Sequence, residues 1–158
     1  MQIDKILNEK EVERIEKIIE KNYGVAPDFS DFVVFITSKE KIWIVTKKFL
    51  DFYNKIEMNA AGLYIGKLKR NDKIHLSLEG MHLFLKKANK NIVKLSEDNM
   101  KKFMQGFDVS EFENINCDIN NFVLVKHKED FVGTGILREG KIENLLPKSR
   151  RIYEAPVV

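Results

Sequence analysis

Asn121-Phe122-Val123-Leu124-Val125-Lys126 and Phe131-Val132-Gly133-Thr134-Gly135-Ile136-Leu137-Arg138 are the stretches whose reading decides the fold. Both are rich in β-branched and aromatic residues, and the charged His127-Lys128-Glu129-Asp130 separates them, so together they predict a β-hairpin. The chain then runs into Pro147-Lys148-Ser149-Arg150-Arg151, a basic exit that gives this small sheet an anion-seeking edge. No catalytic constellation accompanies it.

Upstream of the hairpin, Ile92 to Leu95 predicts a strand, and Ser96 caps a helix that starts near Glu97 and stops near Gly106. Lys86-Lys87-Ala88-Asn89-Lys90-Asn91 is polar, basic and short, the composition of a linker. Before it, Asn8 and Glu11 form a capping-box pattern, and Val12, Ile15, Ile18 and Ile19 recur at helical spacing until Gly24. Phe32 to Thr37 and Lys41 to Val45 predict a second hairpin around Ser38-Lys39-Glu40. A helix capped by Thr46 is expected from Lys47 to about Asn54, with Phe49, Leu50 and Tyr53 inward. A third strand pair, Gly62 to Leu68 and Lys73 to Leu76, leads into a helix from Ser77 to about Ala88.

The chain has 158 residues, 44% hydrophobic and 32% charged, enough apolar material for one large core or two small ones. Its apolar runs fall far short of the roughly 20 residues of a bilayer-spanning helix. Asp4, Lys5, Glu9 and Lys10 interrupt the apolar block that a signal peptide needs, so a cytoplasmic protein with no membrane partner is expected. Cys117 is the single cysteine, which removes intrachain disulfides and cysteine-cluster zinc sites together. A small, buried apolar role is its simplest reading.

The net charge of +3 conceals a strong asymmetry. Residues 1–65 carry −1, 66–102 carry +6, 103–117 carry −3 and 118–158 carry +1. A concentrated positive segment suits a protein that meets phosphate on one face.

Other motifs fall away on chemical grounds. Gly62-x-x-x-Gly66-Lys67 lacks the four-residue spacing and following Ser or Thr of a phosphate-binding loop, and Gly133-Thr134-Gly135 lies inside a strand instead of opening a helix. Glycines so placed mark a bulge or a close approach, either to another strand or to a ligand backbone. His75, Glu79 and His82 are poorly spaced for one zinc ion, and structural histidines are the default, so neither a metal nor a cofactor is expected. His127 is expected to be exposed in its turn. No nucleophile and base pair stands out, so no catalytic residue is assigned. The basic residues, singly ordinary, jointly bring RNA into the reading, with Tyr64, Phe107 and Tyr153 as stacking candidates and a core role favoured for Phe107.

Gly62-Leu63-Tyr64-Ile65-Gly66-Lys67-Leu68, the strand Ile74-His75-Leu76 and its helix resemble the N-terminal, pre-PUA domain of the nucleolar large-subunit ribosome-biogenesis factors and their archaeal relatives. Residues Asn91 to Arg151 are similar to their C-terminal PUA domain, a small pseudobarrel. Phe103-Met104-Gln105-Gly106 matches its helix-to-glycine junction, and Asn121 to Val125 with Phe131 to Gly135 matches its glycine-stepped strand pair. Asn144-Leu145-Leu146-Pro147-Lys148-Ser149-Arg150-Arg151 also resembles the PUA-like tail of the Sun-type RNA cytosine methyltransferases, whose nucleotide-binding domain and catalytic cysteines have no counterpart here.

The expected fold is therefore α+β: an antiparallel sheet with flanking helices over residues 1–88, then a PUA-like β-barrel over 89–158. The resemblance implies a non-enzymatic RNA-binding protein acting in ribosomal RNA processing or ribosome assembly, with rRNA or tRNA as partner. Lys101, Lys102, Lys126, Arg138, Lys148, Arg150 and Arg151 are the expected phosphate contacts, with the main chain at Gly133 and Gly135 approaching the nucleic acid. Two alternatives stay open: an RNA-binding accessory subunit of an RNA-modifying enzyme, and a protein-interaction adaptor.

Overall fold

A computed structural model describes residues 3–48 and 62–153. The chain forms two compact units, Met1–Ala88 and Asn89–Val158.

The first unit is a five-stranded antiparallel meander in the order β1-β2-β3-β4-β5, comprising β1 (Ile3–Ile6), β2 (Phe32–Thr37), β3 (Lys41–Thr46), β4 (Leu63–Lys69) and β5 (Lys73–Leu76). Helix α1 (Glu9–Tyr23) begins at the capping box: the Asn8 side chain accepts from Glu11 N–H at 3.0 Å, and the Glu11 carboxylate accepts from Asn8 N–H at 3.2 Å. Gly24 ends it in the left-handed conformation, φ +81°. Ile15, Ile18, Ile19 and Tyr23 are buried, and the Tyr23 hydroxyl donates to Ile74 O at 2.8 Å, pinning α1 to β5. Helix α2 (Leu78–Phe84) is capped by the Ser77 hydroxyl, which accepts from Gly80 N–H at 3.0 Å.

Two sequence expectations change here, and a third goes untested. Strand β1 was not foreseen: its four residues, Ile-Asp-Lys-Ile, form an edge strand whose partner β2 lies beyond α1. Helix α2 stops at Phe84 instead of reaching Ala88, because buried Leu85 anchors the chain and Ala88 N–H turns back to Leu85 O at 3.0 Å. The helix expected from Lys47 to Asn54 falls largely outside the described residues.

The second unit contains β6 (Ile92–Lys94), α3 (Glu97–Met104), β7 (Glu113–Ile115), β8 (Phe122–His127), β9 (Asp130–Arg138) and β10 (Lys141–Asn144). Its mixed sheet runs β10-β9-β8-β6-β7, with β6 parallel to β8 and the other pairs antiparallel. Val109 bridges Ile142 on β10, and Glu113–Ile115 pairs with β6, so one strip of chain joins both ends of the sheet and curls it into a half-barrel. Val93, Phe103, Val123, Val125, Leu137, Ile142 and Leu146 fill its interior. The β8–β9 turn is tighter than expected, because His127 pairs with Asp130 and leaves Lys128 and Glu129 as the turn, with Lys128 at φ +54°.

Among the described residues, no helix is long and apolar enough to cross a membrane.

Candidate nucleic-acid interface

Helix α3 sets the charge of the candidate site. Ser96 caps its N-terminus, accepting from Asn99 N–H at 3.3 Å; Glu97 and Asp98 occupy the first turn, and Lys101 and Lys102 the last. Each charge thus sits at the end of the helix dipole that favours it. Both lysines are exposed, Lys101 with Glu97 at 3.9 Å. Among the described residues, Lys102 is in no salt bridge.

The helix ends at Gly106, φ +99°, a conformation that favours glycine. Phe107 N–H then donates to Lys102 O at 3.1 Å, and Ile152 N–H, arriving from the C-terminal side, donates to Met104 O at 2.8 Å. The C-terminal segment is thereby hung on the same helical turn from which the chain runs on into Phe107. Arg151 lies across Gly106, and its Nε donates to Leu146 O at 3.2 Å. The Asn144 amide donates to both Phe103 O and Phe107 O at 2.8 Å, while its Oδ1 accepts from Leu146 N–H at 2.8 Å. This one side chain fastens β10 to the end of α3.

Phe107, Ile152 and Tyr153 project from that frame with 60%, 60% and 67% of their surfaces exposed. Large apolar side chains held this open beside cations suit bases better than a core. The core role favoured for Phe107 is therefore corrected: the clamp on its carbonyl turns the ring outward. Lys148 and Arg150 lie exposed on the short 3₁₀ turn that precedes Arg151.

The remaining expected site residues lie elsewhere. The Lys126 side chain is only 7% exposed, with its ammonium 3.9 Å from Glu129 and 4.8 Å from the centre of the Phe131 ring. Arg138 Nε is 2.9 Å from Glu143, and its guanidinium also donates to Asn120 at 3.2 Å. The close approaches of Gly133 and Gly135 are made within the domain. A Cβ on Gly133 would lie 2.8 Å from the Phe103 ring, and one on Gly135 would lie 2.5 Å from Ile142. His127 is half-buried instead of exposed, with Nδ1 3.0 Å from Leu95 O. Cys117 donates its thiol to Ile92 O at 3.1 Å, and burial pushes its pKa up to about 11, so it is a poor nucleophile.

Asn144, which fastens the frame of the candidate surface, was not singled out from sequence. Its one local signal is an Asn accepting from the amide two residues on, a pattern common to many turns.

A meander-and-helix unit followed by a curled mixed sheet with a helix-to-glycine junction is the fold of PUA-domain proteins. Residues 5–78 match the model of the NIP7/UPF0113 pre-PUA domain, and residues 90–152 match that of the methyltransferase RsmF PUA domain. Among solved structures, a conserved PUA domain protein from Thermoplasma acidophilum superposes with a TM-score of 0.59 at 13% identity, covering 92% of this chain and 95% of its own. A PUA domain from Aeropyrum pernix K1, solved as a tartrate complex, gives 0.52 at 11% identity, covering 84% of this chain and 70% of its own. At these identities the similarity concerns the fold. No curated protein matches the chain.

Proposed function

We propose that the protein is a non-enzymatic, cytoplasmic RNA-binding factor of ribosomal RNA processing or ribosome assembly, with residues 89–158 as its RNA-binding domain and 1–88 as its pre-PUA domain. Lys101, Lys102, Lys148, Arg150 and Arg151 contact phosphates, and Phe107 and Tyr153 stack on unpaired bases. Lys126 and Arg138, engaged by carboxylates, and Gly133 and Gly135, engaged by packing, build the sheet that carries this surface. The observation that carries the reading is the hydrogen bond from Ile152 N–H to Met104 O, which brings the C-terminal segment to the end of α3 where the chain runs on into Phe107, with Phe107 and Tyr153 both exposed.

Fluorescence anisotropy of a labelled single-stranded RNA, titrated with salt, tests it. Steep weakening with ionic strength is expected, and replacing Lys102 and Arg151 by Gln lowers the slope of log K against log salt by about 1.4, at roughly 0.7 per phosphate. A flat response at low salt, or an unchanged slope in the double variant, overturns it. The match to the RsmF PUA domain supports a second reading, in which the same surface presents RNA to a separate modifying enzyme. Co-purification with a methyltransferase would favour that reading.

A further inference from the structure

Helix α1 keeps its charges apart. At about 100° per residue, Lys10, Arg14, Lys17 and Lys21 fall within one sector roughly 60° wide, and Glu9, Glu13, Glu16 and Glu20 fill another about 100° away. The buried Ile15, Ile18, Ile19 and Tyr23 take the remaining side. Every cation of the basic row has another cation three or four residues away, and the acidic row repeats the pattern, although like charges at those spacings destabilise a helix. Lys10 also stands in the first turn, where the helix dipole disfavours a cation. A helix stabilised by its own side chains would interleave the two signs.

The basic row lines a concavity of about 340 Å³, with Asp72 of the β4–β5 turn on its far side. The Asn22 amide donates to Asp72 O at 2.8 Å and the Arg14 guanidinium donates to its carboxylate at 3.2 Å, so this turn is held against the helix. The turn belongs to the segment 66–102 with its charge of +6, and it carries the exposed Arg70 two residues before Asp72. Lys10, Arg14, Lys17 and Lys21 are exposed as well. Among the described residues, Lys10, Lys17 and Arg70 are in no salt bridge. The Arg14–Asp72 pair lies in the open, its side chains 65% and 53% exposed, where water and salt weaken it.

The kind of partner follows from the chemistry of this lining. Interfaces between proteins centre on apolar or aromatic anchors and are poor in lysine. Here Ile18 is the apolar residue of the concavity, it is buried, and every other lining residue is charged. A phosphate backbone asks for cations and for no apolar anchor, because its binding is driven by the release of counterions. Along the helix axis the four cations rise by roughly 6, 4.5 and 6 Å, a row about 16 Å long that can follow a strand. The acidic row beside it repels phosphate and so confines a strand to the basic side.

We infer that this side of the N-terminal unit is a second RNA contact, in which Lys10, Arg14, Lys17 and Lys21 of α1, with Arg70 of the β4–β5 turn, hold the phosphates of a single strand. Such contacts grip the backbone without reading its bases. The inference rests on the protein being an RNA binder but assigns contacts to a different unit.

The test titrates labelled oligouridylate with full-length proteins: wild type, Lys10→Gln/Lys17→Gln/Arg70→Gln, Lys102→Gln/Arg151→Gln, and the combination. The triple variant is expected to melt as the wild type does and to lose about tenfold in affinity and about 2 in salt slope, at roughly 0.7 per phosphate. Residual binding in the C-terminal variant should fall further in the combination. A fifth protein, Glu13→Gln/Glu20→Gln, should bind the RNA more tightly than wild type, because the neighbouring repulsion is relieved. Wild-type affinity and slope in the triple variant, or weaker binding in the fifth protein, would overturn the inference while leaving the C-terminal reading intact. Loss in the triple variant alone would do the reverse, and no wild-type binding would overturn both. Tighter binding to polyglutamate than to RNA would also overturn it, in favour of an acidic protein partner.

Discussion

Arg151 lies over Gly106 so closely that a Cβ on the glycine would sit 2.7 Å from the arginine Nε. The contact joins the end of α3 to the C-terminal segment and fixes a guanidinium at the candidate RNA surface. Gly106→Ala would strain a residue at φ +99° and push Arg151 off its hydrogen bond to Leu146 O. The expected cost is about 2 kcal/mol, one part backbone and one part hydrogen bond. In a double-mutant cycle with Arg151→Ala, denaturant unfolding should show a coupling of about 1 kcal/mol; strict additivity would mean that the two residues act separately.

Asn144 satisfies three backbone groups at once. Asn144→Ala leaves the carbonyls of Phe103 and Phe107 and the amide of Leu146 without it, at an expected cost of about 2–3 kcal/mol in denaturant unfolding. RNA affinity should fall as well, because the Phe107 loop loses its anchor.

Phe107 and Tyr153 are expected to show the opposite pattern. Their exposure means that Phe107→Ala and Tyr153→Ala leave the melting temperature almost unchanged. Each should weaken RNA binding by about 1–3 kcal/mol, the range for one base stacked on an aromatic ring. A large stability loss with unchanged affinity would return Phe107 to the core.

Gly133→Ala separates packing from binding. The new methyl meets the Phe103 ring at 2.8 Å and Leu146 at 3.2 Å, so overpacking should cost about 1–3 kcal/mol. The salt slope of RNA binding should stay at the wild-type value, whereas a changed slope would place RNA against this strand.

His75 provides a pH signature in the N-terminal unit. Burial, helped by Lys69 and Lys67, lowers its pKa to about 4 from an ordinary 6.5. The unfolded chain therefore binds a proton that the folded chain refuses between those values. The stabilisation is fully present above pH 6.5 and is lost as the pH falls through that window towards 4. Its size is on the order of 2–3 kcal/mol. Urea unfolding across this range should show a shallower pH dependence in His75→Gln than in wild type.

Much of this architecture was legible in local sequence, and the reason is physical. Asn8 with Glu11, Ser96 and Gly24 specify helix ends through bonds made within a few residues. The hairpins around residues 38–40 and 70–72 follow from alternation and short polar turns. Strands β1, β7 and β10 escaped because three or four residues such as Glu-Asn-Ile carry little periodicity, and their partners are chosen by tertiary packing. The candidate site was legible in part. Lys102 and Arg151 were named from charge, but their meeting at Gly106 depends on bonds between residues some fifty positions apart. Lys126 looked like an outward cation until the curl of the sheet buried it beside Phe131.

The strip from Val109 to Ile115 touches β10 with its first residue and β6 with its last three. The two rims of the C-terminal sheet are therefore buckled by a single strap. A single proteolytic nick between Ser110 and Phe112 would sever the link between the two fastenings while leaving each of them in place. The same strap begins just past the helix end that carries Phe107, so the tie between the rims and the placing of that ring share one short stretch of chain.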